Sequence, residues 1–265
     1  MTKIIAHRGA RSIAPENTIV AAEIARCIGA DLWETDVHVT KDGKLILFHD
    51  DDLLRTTNAR DIFPKHNSFQ VNDFNLEQIQ MLDLGTVFIQ KDPFGEICAG
   101  NIPKKSLESF KGERVPSLEE ALSYTQQKQW PVNLELKEQT GKLKAYPLPK
   151  SVVDLVRIMK INPELIIISS FNHNWLKEIQ ILSPEIETQA LVGDYPGYEM
   201  TWSDYCFDTY NVDADILSIE VIERLHKMGK RVNVFTVNEK DDMVRYINAG
   251  VDGIFTDYPQ VMKKI

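Results

Sequence analysis

Leu32-Trp33-Glu34-Thr35-Asp36-Val37-His38-Val39-Thr40-Lys41-Asp42-Gly43-Lys44-Leu45-Ile46-Leu47-Phe48-His49-Asp50 carries the pattern on which the fold turns. Its first eight residues read as a strand, and side chains that alternate across a strand bring Glu34 and Asp36 to the same face, ~6.6 Å apart along the chain. Carboxylates so placed either meet solvent or a helix, or point inward, where they are costly unless a cation or partner neutralises them. Asp42-Gly43 between apolar runs is a hairpin signal. A two-residue turn there pairs Lys41 with Lys44, Val39 with Ile46 and Asp36 with His49, which sets a histidine beside a carboxylate. A three-residue loop shifts that pairing by one.

Outward from this stretch, short apolar runs alternate with amphipathic segments. Strands are expected at Lys3–Ala6, Leu32–Val39, Leu45–Phe48, Val132–Leu136, Leu165–Ile168, Glu187–Val192, Ile216–Leu217, Val232–Phe235 and Gly253–Phe255. Helices between them are marked by caps: Asn17 or Thr18 opens one, Ser117 with Glu120 forms a capping box, and Gly229 and Gly250 follow the ends of two others. Strands alternating with helices imply parallel pairing, and so many in 265 residues fit a closed (β/α)8 TIM barrel of the α/β class, irregular at the hairpin. The whole chain, 1–265, reads as one domain. Residues 51–114 break the rhythm with Asp, Asn, Pro and Gly, and are expected to form a small insertion folded over the active-site end of the barrel.

Val132-Asn133-Leu134-Glu135-Leu136-Lys137 alternates cleanly. Because helices cover the outside of a barrel, the polar face of this strand is expected to point inward, bringing Glu135 towards Glu34 and Asp36 and offering Lys137 to an anion. Three carboxylates without cysteine or paired histidine ligands suit a hard divalent cation, Mg2+ or Ca2+, better than zinc. The first strand ends in His7-Arg8-Gly9, at the barrel end where enzymes build their sites; Arg8 can fork onto a phosphate, and Gly9 lets backbone approach it. His38 shares the face of Asp36 but is expected to be solvated near the hairpin tip. His66, His173 and His226 read as structural or surface groups.

With 43% hydrophobic residues the chain can bury a substantial core. Its net charge of −9, from 39 acidic and 30 basic residues, gives no footprint for nucleic acid or an anionic membrane. A small phosphate ester remains compatible, since local cations can reverse the field in a cleft. No apolar stretch at the N-terminus is long enough for a signal or a membrane span. The three cysteines, Cys27, Cys98 and Cys206, lack metal-ligand spacing and point to a reducing cytoplasmic setting, with Cys27 filling a helical core stripe. The oligomeric state is left open.

Taken together these residues resemble the glycerophosphodiester phosphodiesterases. The resemblance runs along nearly the whole chain, through His7-Arg8-Gly9, Pro15-Glu16-Asn17-Thr18, Gly29-Ala30-Asp31, Glu34-Thr35-Asp36-Val37, Thr40-Lys41-Asp42-Gly43, His49-Asp50 and Arg55-Thr56-Thr57. It continues through Glu135-Leu136-Lys137, Ser169-Ser170-Phe171, Phe235-Thr236-Val237-Asn238 and Gly250-Val251-Asp252-Gly253-Ile254 to Thr256-Asp257-Tyr258-Pro259. It implies metal-dependent cleavage of a glycerophosphodiester to sn-glycerol 3-phosphate and an alcohol. The implied metal ligands are Glu34, Asp36 and Glu135, the acid-base pair His7 and His49, and the phosphate contacts Arg8 and Lys137. His7 is expected to act first as base and His49 as acid, with Asp50 orienting His49 or capping a turn. By similarity to phosphatidylinositol phospholipase C, the glycerol 2-hydroxyl is a candidate first nucleophile. Phe235 stands where that family often has tryptophan, and Lys104–Glu113 lengthens the insertion. Alternatives are the same core acting on lysophospholipids or glycerophosphoinositol, a non-catalytic barrel that binds phosphate esters, and another metal-dependent barrel enzyme such as an aldolase or enolase.

Overall fold

The computed structural model describes residues 1–194 and 200–265. Eight parallel strands close into a barrel: β1 (Lys3–Ala6), β2 (Leu32–Val39), β4 (Val132–Leu136), β5 (Ile166–Ser170), β6 (Glu187–Val192), β7 (Thr209–Asp213), β8 (Arg231–Phe235) and β9 (Gly253–Thr256). Closure comes from β1, which pairs with both β2 and β9. The remaining strand, β3 (Leu45–Leu47), runs antiparallel to β2 as a hairpin on the rim.

Helices α1 (Ile19–Ile28), α6 (Leu118–Lys128), α7 (Leu148–Ile158), α8 (His173–Leu182), α9 (Ile219–Lys227), α10 (Lys240–Asn248) and α11 (Pro259–Met262) lie in the connections. Thr18 caps α1 by accepting from the Ala21 N–H, and the Ser117–Glu120 capping box opens α6 as the sequence predicts. Each cap satisfies backbone donors that the helix itself leaves open, which is worth about 1 kcal/mol. Gly229 and Gly250 adopt left-handed conformations just beyond α9 and α10.

The main core lies between barrel and helices. Val132, Leu134 and Leu136 of β4 join Trp33, Val37 and Val39 of β2 and Ile166 and Ile168 of β5 there. Fully burying such a side chain contributes roughly 1.5–3 kcal/mol. Inside the barrel, Ile5, Leu32, Ile167 and Phe255 form a separate apolar plug. An amide belt also occupies the interior: Asn233 Nδ2 donates to Asn211 Oδ1 at 2.8 Å, and Ser169 Oγ to Asn133 Oδ1 at 2.7 Å. These bonds offset part of the cost of burying the groups they join, while Asn211 Nδ2 is buried with no partner among the described residues.

Between β3 and α6, residues 51–114 contain short helices α2 (Ala59–Ile62), α3 (Leu76–Ile79), α4 (Gly85–Lys91) and α5 (Lys104–Phe110). Ile46 and Phe48 of the hairpin anchor one insertion core, which includes Phe74, Ile79 and Leu82 with Phe63 and Phe69 against it. Phe88 and Phe110 form a second core on Ala14 and Ala21.

Several sequence expectations are corrected. Observed pairings Val37↔Leu47, His38↔Ile46 and Val39↔Leu45 are one residue out from a two-residue turn. The loop is Lys41-Asp42-Gly43, with Gly43 at φ 73° and its N–H on the Thr40 carbonyl. A glycine at the left-handed third position permits this longer loop. The strand expected at Ile216–Leu217 is instead β7, Thr209–Asp213. Its polar residues conceal it, because Tyr210 and Val212 alone pack outward into the main core. Cys27 is exposed, since α1 buries the small residues Ala21, Ala22 and Ala25. His38 is buried, not solvated, with Nε2 3.5 Å from Asp51 Oδ1 in the insertion.

Candidate active site

The parallel register sets the site. Asp36 of β2 is the direct partner of Glu135 on β4, and Glu34 is the partner of Asn133. Ligand atoms of Glu34, Asp36 and Glu135 all lie within 4.8 Å of one another. Both β2 carboxylates are buried. Asn17, read from sequence only as a helix opener, donates from Nδ2 to Asp36 Oδ2 at 2.9 Å and accepts from Thr35 Oγ1 at 2.7 Å. It holds the carboxylate while Thr18 does the capping.

Two expected cations also converge here. Lys137 Nζ lies 2.5 Å from Glu135 Oε1 and 3.2 Å from Asp36 Oδ1. Arg8 has Nε 3.2 Å from Asp36 Oδ2 and NH1 3.0 Å from Glu16 Oε1, and its backbone N–H donates to Glu34 Oε2 at 2.9 Å. Gly9 is required by packing. At φ 80° a Cβ there would lie 2.7 Å from the Ala21 backbone carbon, so glycine is needed for α1 to pack close to the His7-Arg8 turn.

Burial pushes the Glu34 carboxyl well above its ordinary range, and the neighbouring Asp36 and Glu135 charges add to this. Burial acts in the same sense on Asp36, but Lys137, His49 and Arg8 together outweigh it and hold that carboxyl low. Glu34 Oε1 is buried with no hydrogen-bond partner. An orphaned buried carboxylate oxygen facing two other carboxylates is the environment that a hard divalent cation satisfies. The residues therefore fit such an ion, with Glu34, Asp36 and Glu135 as its holders. Among the described residues they are the one such group of carboxylates, and His38 is not part of it.

Each expected catalytic histidine is paired with a carboxylate. His7 Nδ1 lies 2.6 Å from Asp257 Oδ1, and His49 Nδ1 lies 2.6 Å from Asp50 Oδ1. Barrel closure makes the first pair, because Ala6 and Thr256 are register partners and the next residues meet just beyond them. His49 follows the end of β3 by two residues, so it reaches the site from the loop and not from the strand pleat; its charge is among those that lower Asp36. Asp257 is held below the usual carboxylate range, since His7 and Arg11 and a bond from Asn238 outweigh its burial. An ionised carboxylate only accepts, so Nδ1–H of His7 donates and Nε2 carries the lone pair in the neutral ring. Burial, then Arg8, lowers the His7 pKa against the opposing pull of Asp257, which favours that neutral ring.

Asp257 and Asn17 were not among the site residues expected from sequence. The signal for Asp257 lay in topology: the last strand of a barrel neighbours the first, so the residue after β9 stands beside the residue after β1. His173 is structural, with Nε2 2.9 Å from the Leu191 carbonyl and Nδ1 2.7 Å from Ser203 Oγ. His226 lies on the surface helix α9, beside Asp252 at 3.1 Å. Phe235 stacks edge-on to Phe171 and Phe255 at the mouth of the apolar plug.

Residues 7–261 match the model of the glycerophosphoryl diester phosphodiesterase family. The chain is 34% identical over 264 residues to a glycerophosphodiester phosphodiesterase of Caldanaerobacter subterraneus subsp. tengcongensis, covering 98% of this chain and 96% of that protein. It is 32% identical over 270 residues to one from Bacillus altitudinis, covering 100% and 98%. Among solved structures, a phosphodiesterase of Oleispira antarctica in complex with the product sn-glycerol-3-phosphate superposes with a TM-score of 0.80 at 25% identity, covering 100% of this chain and 96% of that one. The barrel, the acidic triad and these similarities agree, and the chain belongs to the glycerophosphoryl diester phosphodiesterase family.

Proposed function

We propose that this enzyme hydrolyses glycerophosphodiesters to sn-glycerol 3-phosphate and an alcohol, with a divalent cation at Glu34, Asp36 and Glu135 and with His7 and His49 as the acid-base pair. The observation that carries this reading is the meeting of three carboxylates within 4.8 Å with two cations, beside two histidines each tied to an aspartate. A phosphodiester anion repels nucleophiles and its leaving alkoxide is strongly basic, so the site must offset charge and move two protons.

A bound Mg2+ or Ca2+ would supply positive charge against the phosphate oxygens. Lys137 and Arg8 bind and orient those oxygens. His7, neutral with its Nδ1–H committed to Asp257, accepts the proton of the attacking hydroxyl at Nε2. His49, held by Asp50, delivers a proton to the departing alcohol. In this reading residues 1–265 act as a single catalytic domain, and 51–114 cover the active-site end. Contact of Arg55 with Glu16 and Asp50 supports that position for the insertion. The free thiols of Cys27, Cys98 and Cys206 support a cytoplasmic location.

Release of sn-glycerol 3-phosphate from glycerophosphocholine, with and without chelator, tests the proposal. Turnover that survives exhaustive chelation removes the cation from it, and no turnover of any glycerophosphodiester removes the reaction. A lysophospholipid is the second reading. An apolar cavity of about 150 Å³ lined by Leu84, Val87, Phe88 and Phe94, beside Glu16 and Arg55, favours it, and a panel of diesters with and without an acyl chain separates the two.

A further inference from the structure

The two histidine-aspartate pairs are built from distant parts of the chain, yet both aspartates are held by an arginine. Arg11 NH1 lies 3.3 Å from Asp257 Oδ1. Arg55 grips Asp50 through Nε at 2.5 Å and NH2 at 2.9 Å. Both arginines then converge on one carboxylate, that of Glu16, in the loop before α1. Arg11 Nε donates to Glu16 Oε2 at 2.9 Å, while Arg55 donates through NH1 to Oε2 at 2.9 Å and through NH2 to Oε1 at 2.6 Å. Arg8 adds a third guanidinium to the same side chain at 3.0 Å. The Glu16 side chain is 10% exposed.

We propose that Glu16 is a positioning residue that fixes the His7 and His49 pairs relative to each other, acting through Arg11 on one side and Arg55 on the other. The reading rests on the acid-base roles given to those histidines above. Charge balance alone does not account for the geometry. Three guanidiniums face four carboxylates, those of Glu16, Asp36, Asp50 and Asp257, but Glu16 touches all three arginines, and two of these pass on to the aspartates that orient the two imidazoles. A guanidinium is a planar fork with fixed donor directions, so an arginine anchored at one edge can hold a carboxylate at the other in only a narrow range of orientations. With Glu16 removed, Arg11 and Arg55 lose their common anchor, and the poorly exposed Arg8 and Arg11 lose the carboxylate between them. Burial opposes ionisation of Glu16, but the bond from Arg55 and the charges of Arg8, Arg11 and Arg55 outweigh it, so the anchor remains charged across the working pH range.

The arrangement predicts an asymmetry that a merely structural role lacks. In protein labelled with 15N-histidine, the two Nδ1–H resonances, assigned with His7→Gln and His49→Gln, report the two pairs separately. Glu16→Gln is expected to displace both resonances although Glu16 touches neither ring. Arg11→Met is expected to displace only that of His7, and Arg55→Met only that of His49. In turnover of glycerophosphocholine, Glu16→Gln should lower kcat on the order of 10²-fold, since misplacing catalytic groups by about 1 Å has that effect. KM should change far less, and Glu16→Asp should recover part of kcat. Unchanged resonances in Glu16→Gln overturn the proposal, as does an Arg55→Met variant that disturbs His7 as much as His49. Should Glu16→Gln fail to fold, Glu16→Asp, which keeps the charge on a shorter side chain, is expected to displace both resonances to a smaller extent, and unchanged resonances there overturn the proposal. The resonances are read without substrate, so an inactive wild-type protein would refute the assigned reaction and leave this test intact.

Discussion

Asp36 and Glu135 are register partners on adjacent parallel strands, and the Lys137 ammonium lies within 3.2 Å of both. Strand pairing thus delivers two of the three carboxylates, and the two-residue period along β2 delivers Glu34 as the third. In Glu34 the conflict is sharpest, since it is buried, surrounded by acid and orphaned at Oε1.

That conflict predicts opposite effects of Glu34→Gln with and without cation. A carboxyl whose folded-state pKa is raised binds more protons folded than unfolded, so its contribution to stability falls as pH rises above its ordinary value. Without cation, Glu34→Gln should therefore unfold at a higher temperature than wild type at pH 7, and the gap should close towards pH 4. With Mg2+ or Ca2+ at 100 times its dissociation constant, wild type should gain about 2.7 kcal/mol, whereas the variant gains far less. Thermal unfolding with and without chelator reads both, and a variant that gains as much as wild type would take Glu34 out of the cation site.

Replacement of His7 or His49 by alanine should each lower kcat on the order of 10²-fold or more, because general acid-base catalysis contributes at least that much. The double variant should be little worse than either single one, since proton removal and proton delivery belong to one reaction. Steady-state kinetics on glycerophosphocholine check this. A single variant with wild-type turnover would exclude that imidazole from the chemistry.

The pH dependence should follow His7. Burial, Arg8 and Arg11 lower its pKa and Asp257 raises it, with a net shift downward from 6.5. With the neutral ring as the proposed base, the acid limb of kcat/KM attributable to His7 should fall below pH 6.5. Asp257→Asn removes the group that raises the pKa, and should move this limb to still lower pH while also lowering kcat through loss of orientation. A limb that moves upward in Asp257→Asn would contradict the assigned pair.

Much of this site was legible in the sequence because it is written in strand alternation. Glu34 and Asp36, or Asn133, Glu135 and Lys137, share a face whatever the rest of the chain does, and helices outside a barrel turn that face inward. Loop and closure geometry was less visible. The hairpin register turned on whether Gly43 ended a two- or three-residue loop, and β7 was hidden because three of its five residues are polar. Asp257 meets His7 only through closure of β9 on β1, a contact between residues 250 positions apart. Asn17 carried a cap signal and Glu16 stood only within a motif of the family resemblance; the partners of Asn17 lie on β2, and those of Glu16 lie in the turn after β1 and in the insertion.

Gly9 joins the backbone of the site to its chemistry, and it offers the last test. An added Cβ would approach the Ala21 carbonyl carbon and Cβ to 2.7 Å and the Ala22 nitrogen to 2.9 Å, and the residue would be strained at φ 80°. Backbone atoms cannot rotate aside, so α1 must shift outward, and overpacking of this kind costs roughly 1–3 kcal/mol. The same shift carries Asn17, at the entry to α1, away from Asp36. Gly9→Ala should therefore lower the urea midpoint and, in the variant that remains folded, weaken cation binding as well, although Gly9 holds no ligand atom. Urea unfolding gives the first quantity and calorimetric titration of the folded variant gives the second. A destabilised variant with unchanged cation affinity would mean that Asp36 is held by Arg8 and Lys137 alone, and that the Asn17 contact is dispensable.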